Sequence, residues 1–369
     1  MSKICINASN IHVGGALQVA CSFLYEIYHS DLRNEINLVV SSEVDEYLCN
    51  FCDVNEFSSY CVKNTYGMSI FNLSLAKILN SYEVVFTIFG PLYTIGIKSK
   101  KVVGFAQAWI AYPKNEVFKR IGVLKKIALK IKFFLQKNFF LFNSDLIVVE
   151  AKHLVSALEK LGFDKKKIFV VNNCVSRQYE NFLAFDRRER SDNFSIGLLS
   201  RDYVHKNLDF IAEVSYILKC KMDLDVDFYV TLSKKEWEGK SDFFKKWVHN
   251  YGEVKVQDGP LFYQRIDAVI FPSLLESFSV TPLEALACGK PLFASDRDFV
   301  KDVCLDYAYY FDPLDPKSAA EKIKEFLQSN SDEIFIFNAK RHALNFSNAR
   351  KRMEDYIGIL KGVLYVQKK

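Results

Sequence analysis

Strand-like and helix-like segments alternate along almost the whole chain, and this alternation limits its fold more than any other feature. The first half reads KICINAS, GGALQVACSFLYEIYH, INLVVSS, FNLSLAKILNSY, EVVFTIF, KVVGFAQ, a long basic helix, SDLIVVE and AKHLVSALEKLG. The short apolar runs suit strands buried on both faces, and the 3.6-residue periodicity between them suits amphipathic helices. Around residues 176–193 the rhythm breaks into a polar, charged stretch that reads as an interdomain linker. It then restarts with FSIGLLS, NLDFIAEVSYILKCKM, VDFYVTLS, KSDFFKKWVHNYG, AVIFPS, PLEALAC, KPLFAS, AYYFDP and DPKSAAEKIKEFLQS. The class is α/β: parallel βαβ units forming two Rossmann-like, doubly wound domains that face each other across a cleft. The expected division is 1–185, then 186–345, with 346–369 a terminal helix packing back toward the first domain.

Composition agrees with two cores. A chain of 369 residues, 50% hydrophobic and 25% charged, is long enough for two domains of roughly 150–200 residues. Nine cysteines are scattered, only Cys49 and Cys52 forming a C-x-x-C, so buried thiols in a reducing compartment are expected. No secretory pattern opens the sequence and no run of about 18 apolar residues occurs, which predicts a cytoplasmic protein. From Val117 to Asn143 lie seven basic residues and no acid; set against a formal charge of +5, they leave the remainder at −2. Basicity so localised argues against nucleic acid as a partner. The segment 114–143, with FFLQKNFFLF beside its lysines, suits either burial or docking on an anionic membrane surface.

In doubly wound sheets, ligands bind where strand ends lead into helix N-termini. Four loops qualify: NIHVGGA, GFAQAWIAYP, SRDYVHKN and PSLLESFSVTP. Gly14 and Gly15 would let backbone approach a phosphate, or simply make a tight turn. Arg201 and Lys206 could grip a diphosphate, or be ordinary surface cations, with Asn207 placed to cap the next helix. Thr281, Pro282 and Glu284 fit a capping box, closed by Gly289. Glu276 lies upstream of that cap, where a carboxylate can accept sugar hydroxyls. Asp223, Asp225 and Asp227 imitate a metal-binding D-x-D but precede their strand, so no metal is expected.

FPSLLESFSVTPLEALACGKPLFASD resembles the signature of retaining, nucleotide-sugar-dependent GT-B enzymes of glycosyltransferase family 4. Similarly, SRDYVHKN looks like their phosphate loop, INASNIHVGGALQVA their N-terminal glycine loop, and NFSNARKRMEDYIGIL their terminal helices. The resemblance is most specific over 196–296. It implies a cytoplasmic glycosyltransferase, peripheral at the inner membrane face, that builds surface polysaccharide on a glycan or polyprenyl-linked glycan acceptor. Glu276 would hold donor-sugar hydroxyls, with the backbone of Ser277, Phe278, Ser279 and Val280 against sugar and phosphate. Glu284 would bind ribose, Arg201 and Lys206 would neutralise the departing diphosphate, and Gly14–Gly15 would line the donor site. His12, Gln107 and Trp109 become acceptor-side candidates. The nucleotide sugar is then a substrate and no cofactor is implied. A nucleotide-sugar epimerase and a non-catalytic two-lobed sugar-binding protein are the alternatives.

Overall fold

A computed structural model describes residues 3–180, 193–329 and 333–366. Its contacts separate two compact units. Unit 1 takes the described residues of 1–113, 124–173 and 349–369; unit 2 takes those of 114–123 and 174–348.

Unit 1 holds strands β1 (Ile4–Ala8), β2 (Ile36–Val40), β3 (Ser59–Val62), β4 (Val84–Thr87), β5 (Lys100–Phe105), β6 (Leu146–Val149) and β7 (Ile168–Val170). They form one sheet in the order β3-β2-β1-β4-β5-β6-β7, every pair parallel. Successive side chains of a strand point to opposite faces. Accordingly Ile4, Ile6, Val84 and Phe86 enter one core cluster, while Cys5 and Val85 enter another. Apolar layers on both faces are why these strands read as unbroken apolar runs.

The helix Ala349–Val366 belongs to unit 1 and closes the first of those cores. Its Tyr356 ring lies 5.1 Å from that of Phe23 and 4.9 Å from that of Phe86. One turn earlier, the buried Arg352 guanidinium donates to Asn173 Oδ1 and to Ser22 Oγ at 3.0 Å. Asn173 in turn donates to Glu150 Oε1 at 2.7 Å. Burial pushes the Glu150 carboxyl up to about 7, against the opposing pull of Arg352 and Asn173.

Unit 2 repeats the scheme with β8 (Phe194–Leu198), β9 (Val226–Val230), β10 (His249–Asn250), β11 (Ala268–Phe271), β12 (Leu292–Ser295) and β13 (Tyr309–Phe311). The order is β10-β9-β8-β11-β12-β13, again wholly parallel.

Several expectations need revision. β3, β7 and β10 are edge strands that the pattern missed, because their residues are half-exposed or too few to show a run. The expected boundary at 185/186 falls among residues outside those described, and the contact division comes earlier, between 173 and 174. The supposed linker 176–193 begins inside unit 2: Tyr179, on the short helix Arg177–Glu180, is 2% exposed. Residues 114–123 also join unit 2, through Arg120 to Asn207 Oδ1 and Arg297 to Glu116 at 3.2 Å. All nine cysteines are free thiols, but Cys49 and Cys220 are exposed and Cys52 and Cys61 half-buried, so burial does not account for all of them.

Arg352→Ala leaves the Glu150 carboxyl buried without its counter-charge. The expected cost is about 3–5 kcal/mol, since breaking one side of a buried pair strands the other. Thermal unfolding checks this against Lys351→Ala, whose surface partner Asp355 stands 3.2 Å away and whose loss should cost under about 1 kcal/mol.

Candidate active site

In unit 2 the strand order reverses between β8 and β11, the place where doubly wound sheets open a crevice at their carboxyl edge. Arg201 and Lys206 lie in the loop after β8, and Glu276 in the loop after β11. The two loops are joined by main chain, Leu274 N–H donating to His205 O at 2.8 Å. Lys206 Nζ reaches Glu276 Oε1 at 2.7 Å, and Ser273 Oγ donates to the same oxygen at 3.0 Å. The ammonium also lies over the Phe271 ring, 5.4 Å from its centre. Both bonds fall on Oε1 of the carboxylate. An ammonium offers three donors, and the Glu276 contact takes one of them.

Arg201 takes a different direction. It donates through Nε to Glu236 at 3.0 Å and through a terminal nitrogen to Glu253 at 2.5 Å, with its side chain half exposed. These carboxylates raise its already high pKa. Burial alone would raise the Glu236 carboxyl, but Ser233, Arg201 and the Asp202 main chain outweigh it and hold that carboxyl at about 2. Lys240 adds bonds to Asp202 at 2.8 Å and Asp209 at 3.3 Å. The loop is thus pinned from two sides by groups the sequence did not single out.

Two capping expectations are overturned. Asn207 does not cap the Asp209–Met222 helix; it adopts a left-handed conformation, φ 58°, and its side chain crosses the switch point. Its amide donates to Pro272 O at 3.2 Å and Pro313 O at 2.9 Å, tying the ends of β11 and β13 to the Lys206 loop. Thr281 is no N-cap: it is already helical, Val280 holds that place, and no side chain caps the helix. Glu284 therefore has no capping role. Its buried carboxyl accepts from Tyr263 Oη at 3.4 Å and bonds Tyr179. Burial pushes it up to about 7, while the two phenols and Lys206 pull it back. Gly289, at φ 67°, does end the helix as expected.

Ser277, Phe278, Ser279 and Val280 form the half-buried turn between the two glutamates, with Phe278 and Val280 packed on the core of unit 2. His205, which the sequence reading passed over, stacks on Tyr203 at 5.6 Å. Burial lowers its pKa, with Lys206 adding to the effect and Glu276 opposing it. Of the D-x-D-like acids, Asp227 lies within β9, and Asp225 pairs with Lys219 at 2.6 Å. Among the described residues no group of three or more His, Cys, Asp or Glu could hold a metal.

The remaining candidates sit in unit 1. Gly14, at φ 72°, and Gly15 begin the Gly14–Tyr28 helix with open space where a Cβ would stand and no side-chain cap over its first N–H groups. His12 bonds Glu43 at 2.8 Å and Thr65 O at 3.1 Å and stacks on Tyr66 at 4.2 Å. Its ring lowers the Glu43 carboxyl. Gln107 precedes the short helix Ala108–Ala111, and Trp109 lies flat on Phe133, 5.7 Å between centres, which gives its ring a packing role.

Two parallel Rossmann-like sheets of this topology define the GT-B fold. HepE of Anabaena, solved in complex with UDP and glucose, superposes with a TM-score of 0.69 at 14% identity, covering 98% of this chain and all of that one. WaaG, described as a glycosyltransferase involved in lipopolysaccharide biosynthesis, gives 0.69 at 12% identity, covering 97% of this chain and 100% of that one. Residues 241–342 match the family described as Glycosyl transferases group 1, and the fold is that of GT-B enzymes. The O-antigen chain mannosyltransferase RfbU of Salmonella typhimurium is 23% identical over 237 residues, 61% of this chain and 64% of that protein. The chain thus spans less than two thirds of that relative's length. The family match contains Glu276 and Glu284 but stops short of Arg201 and Lys206.

Glu236→Gln tests the pinning of the loop. The Glu236 carboxyl is depressed from 4.5 to about 2, so its contribution is present above pH ~4.5 and lost as pH falls through its folded value, about 3 kcal/mol in all. Urea unfolding should show the variant less stable at pH 7 and nearly equal to wild type at pH 2.

Proposed function

We propose that the protein is a retaining glycosyltransferase that moves a hexose from a nucleoside-diphosphate sugar to a glycan or lipid-linked glycan acceptor in surface polysaccharide assembly. The Lys206–Glu276 pair at the switch point of unit 2 carries this reading: a cation and a sugar-binding carboxylate 2.7 Å apart, on joined loops. RfbU is named a mannosyltransferase and the HepE structure holds UDP and glucose, which supports a hexosyl donor.

The bond that breaks joins the anomeric carbon to the β-phosphate oxygen. Negative charge grows on that oxygen, and cations already in place lower the barrier most where charge develops. Lys206 supplies one, and Arg201 a second on turning from Glu253. Glu276 Oε2 fixes the sugar through its hydroxyls. The acceptor hydroxyl attacks the face the diphosphate is leaving and gives its proton to the departing phosphate oxygen, so configuration is retained. In this reading the two cations do the work of a metal. Arg201→Ala should lower turnover roughly a hundredfold, the loss of about 3 kcal/mol of transition-state stabilisation. Lys206→Ala and Glu276→Ala should be at least as damaging. Labelled-sugar transfer measures all three, and EDTA should leave wild-type rates unchanged.

A peripheral place on the membrane is part of the same reading. The helix Val123–Phe142 turns an apolar stripe outward, with Leu124 84%, Ile131 57% and Phe134 61% exposed, among Lys125, Lys130 and Lys132. Among the described residues no helix is long and apolar enough to cross a membrane. The segment entering the Leu73–Leu79 helix bares two more apolar side chains, Phe71 and Leu73, each more than three-quarters exposed. It is tied to the Val123–Phe142 helix through Ile95 N–H to Ile70 O at 3.0 Å and Asn143 to Thr94 O at 3.0 Å. Each lysine near an anionic surface contributes about 1 kcal/mol. The protein should float with phosphatidylglycerol vesicles at low salt and not with phosphatidylcholine. Ile131→Glu/Phe134→Glu should stay at the bottom of the gradient, and absence of wild-type flotation would sink the idea.

A further inference from the structure

We propose that Tyr179 and Tyr263 are positioning residues that aim the Glu284 carboxylate at the donor's ribose, and that residue 259 is glycine so that Tyr179 can reach it. This rests on the reading of Glu284 as the ribose ligand.

Three separate segments converge on that carboxyl. Glu284 comes from the Thr281–Ala287 helix, Tyr263 from the Gly259–Gln264 helix, and Tyr179 from Arg177–Glu180. Both phenols are buried, Tyr263 at 0% and Tyr179 at 2% exposure, so each hydroxyl must find its partner inside the protein. Tyr263 donates to Glu284 Oε2 at 3.4 Å and Tyr179 bonds the same carboxyl. The rings meet edge to face, 5.9 Å between centres. A Cβ at position 259 would stand 2.0 Å from the Tyr179 hydroxyl, so any larger residue there displaces it.

The chemistry suits a cis-diol. An ionised carboxylate has about four acceptor positions; two phenols take two, and the remaining two match a pair of neighbouring ribose hydroxyls. The phenols also favour the ionised form, opposing the burial that pushes the group up to about 7. The other group acting on it is Lys206, which favours the anion; Glu284 in turn helps to raise the thiol of Cys288, the residue that ends its helix, while Lys290 and Lys340 lower it. Losing either phenol makes the carboxyl easier to protonate, and a protonated carboxyl offers the diol fewer acceptors.

The test compares UDP with 2′,3′-dideoxy-UDP by calorimetry from pH 6 to pH 9, with the GDP pair alongside to cover a purine base. The phosphates are common to each pair, so the affinity ratio isolates the ribose contacts. Wild type should prefer the ribose form about tenfold at pH 8, and the preference should shrink toward pH 6. In Tyr179→Phe and Tyr263→Phe, which conserve packing, the preference at pH 7.5 should drop several-fold and its midpoint move to higher pH. Gly259→Ala should behave like Tyr179→Phe. An unchanged ratio and midpoint in all three overturns the proposal. A full ribose preference in Glu284→Gln, or no binding of either diphosphate, overturns the donor reading beneath it instead.

Discussion

Each strand of both sheets runs parallel to its neighbours, so the chain must return across a sheet face before it can add another strand. That constraint forces a helix or long crossover between strands and gathers the outgoing loops along one edge. In unit 2, β8 and β11 are adjacent although residues 199–267 lie between them, and their outgoing loops part where the order reverses. Lys206 and Glu276 meet there because the topology leaves their loops nowhere else to go. The main-chain bond from Leu274 to His205 and the Asn207 amide on Pro272 O hold the two loops together. The chemistry of the site is thus a property of strand order before it is a property of any side chain.

Polar groups buried at the joints do the rest. Asn207, held in a conformation that disfavours most side chains, spends its amide on two carbonyls from different strand ends. In unit 1, Glu150, Asn173, Ser22 and Arg352 make the equivalent knot between a strand end, the Gly14–Tyr28 helix and the terminal helix. Such groups add little net stability when paired, but losing one partner strands the other. They select one arrangement of segments over its near neighbours.

Much of this was legible in the sequence. The central strands announce themselves because both faces are buried, and Glu276, Lys206 and the turn between the glutamates stand on quoted loops. What escaped has physical reasons. Edge strands such as Ser59–Val62 lack a buried face to mark them. The tyrosines behind Glu284 lie 21 and 105 positions away, and no local pattern encodes a contact made by folding. The capping readings of Thr281 and Asn207 failed for a related reason: short-range propensity was overruled by what the folded core offered each side chain. Arg201 stands on a quoted loop, yet its acidic partners come from residues 236 and 253, which no short-range pattern connects with it.

The return of the Ala349–Val366 helix to unit 1 has a consequence for biosynthesis. As the ribosome delivers the chain, the first sheet is finished long before Tyr356 and Arg352 emerge to cover Phe23, Phe86 and Glu150. A nascent N-terminal half must therefore wait, one apolar face uncovered, while the whole of unit 2 is translated. The part made first is the last to be completed, and a chain that stalls late is more exposed to aggregation than its nearly full length suggests.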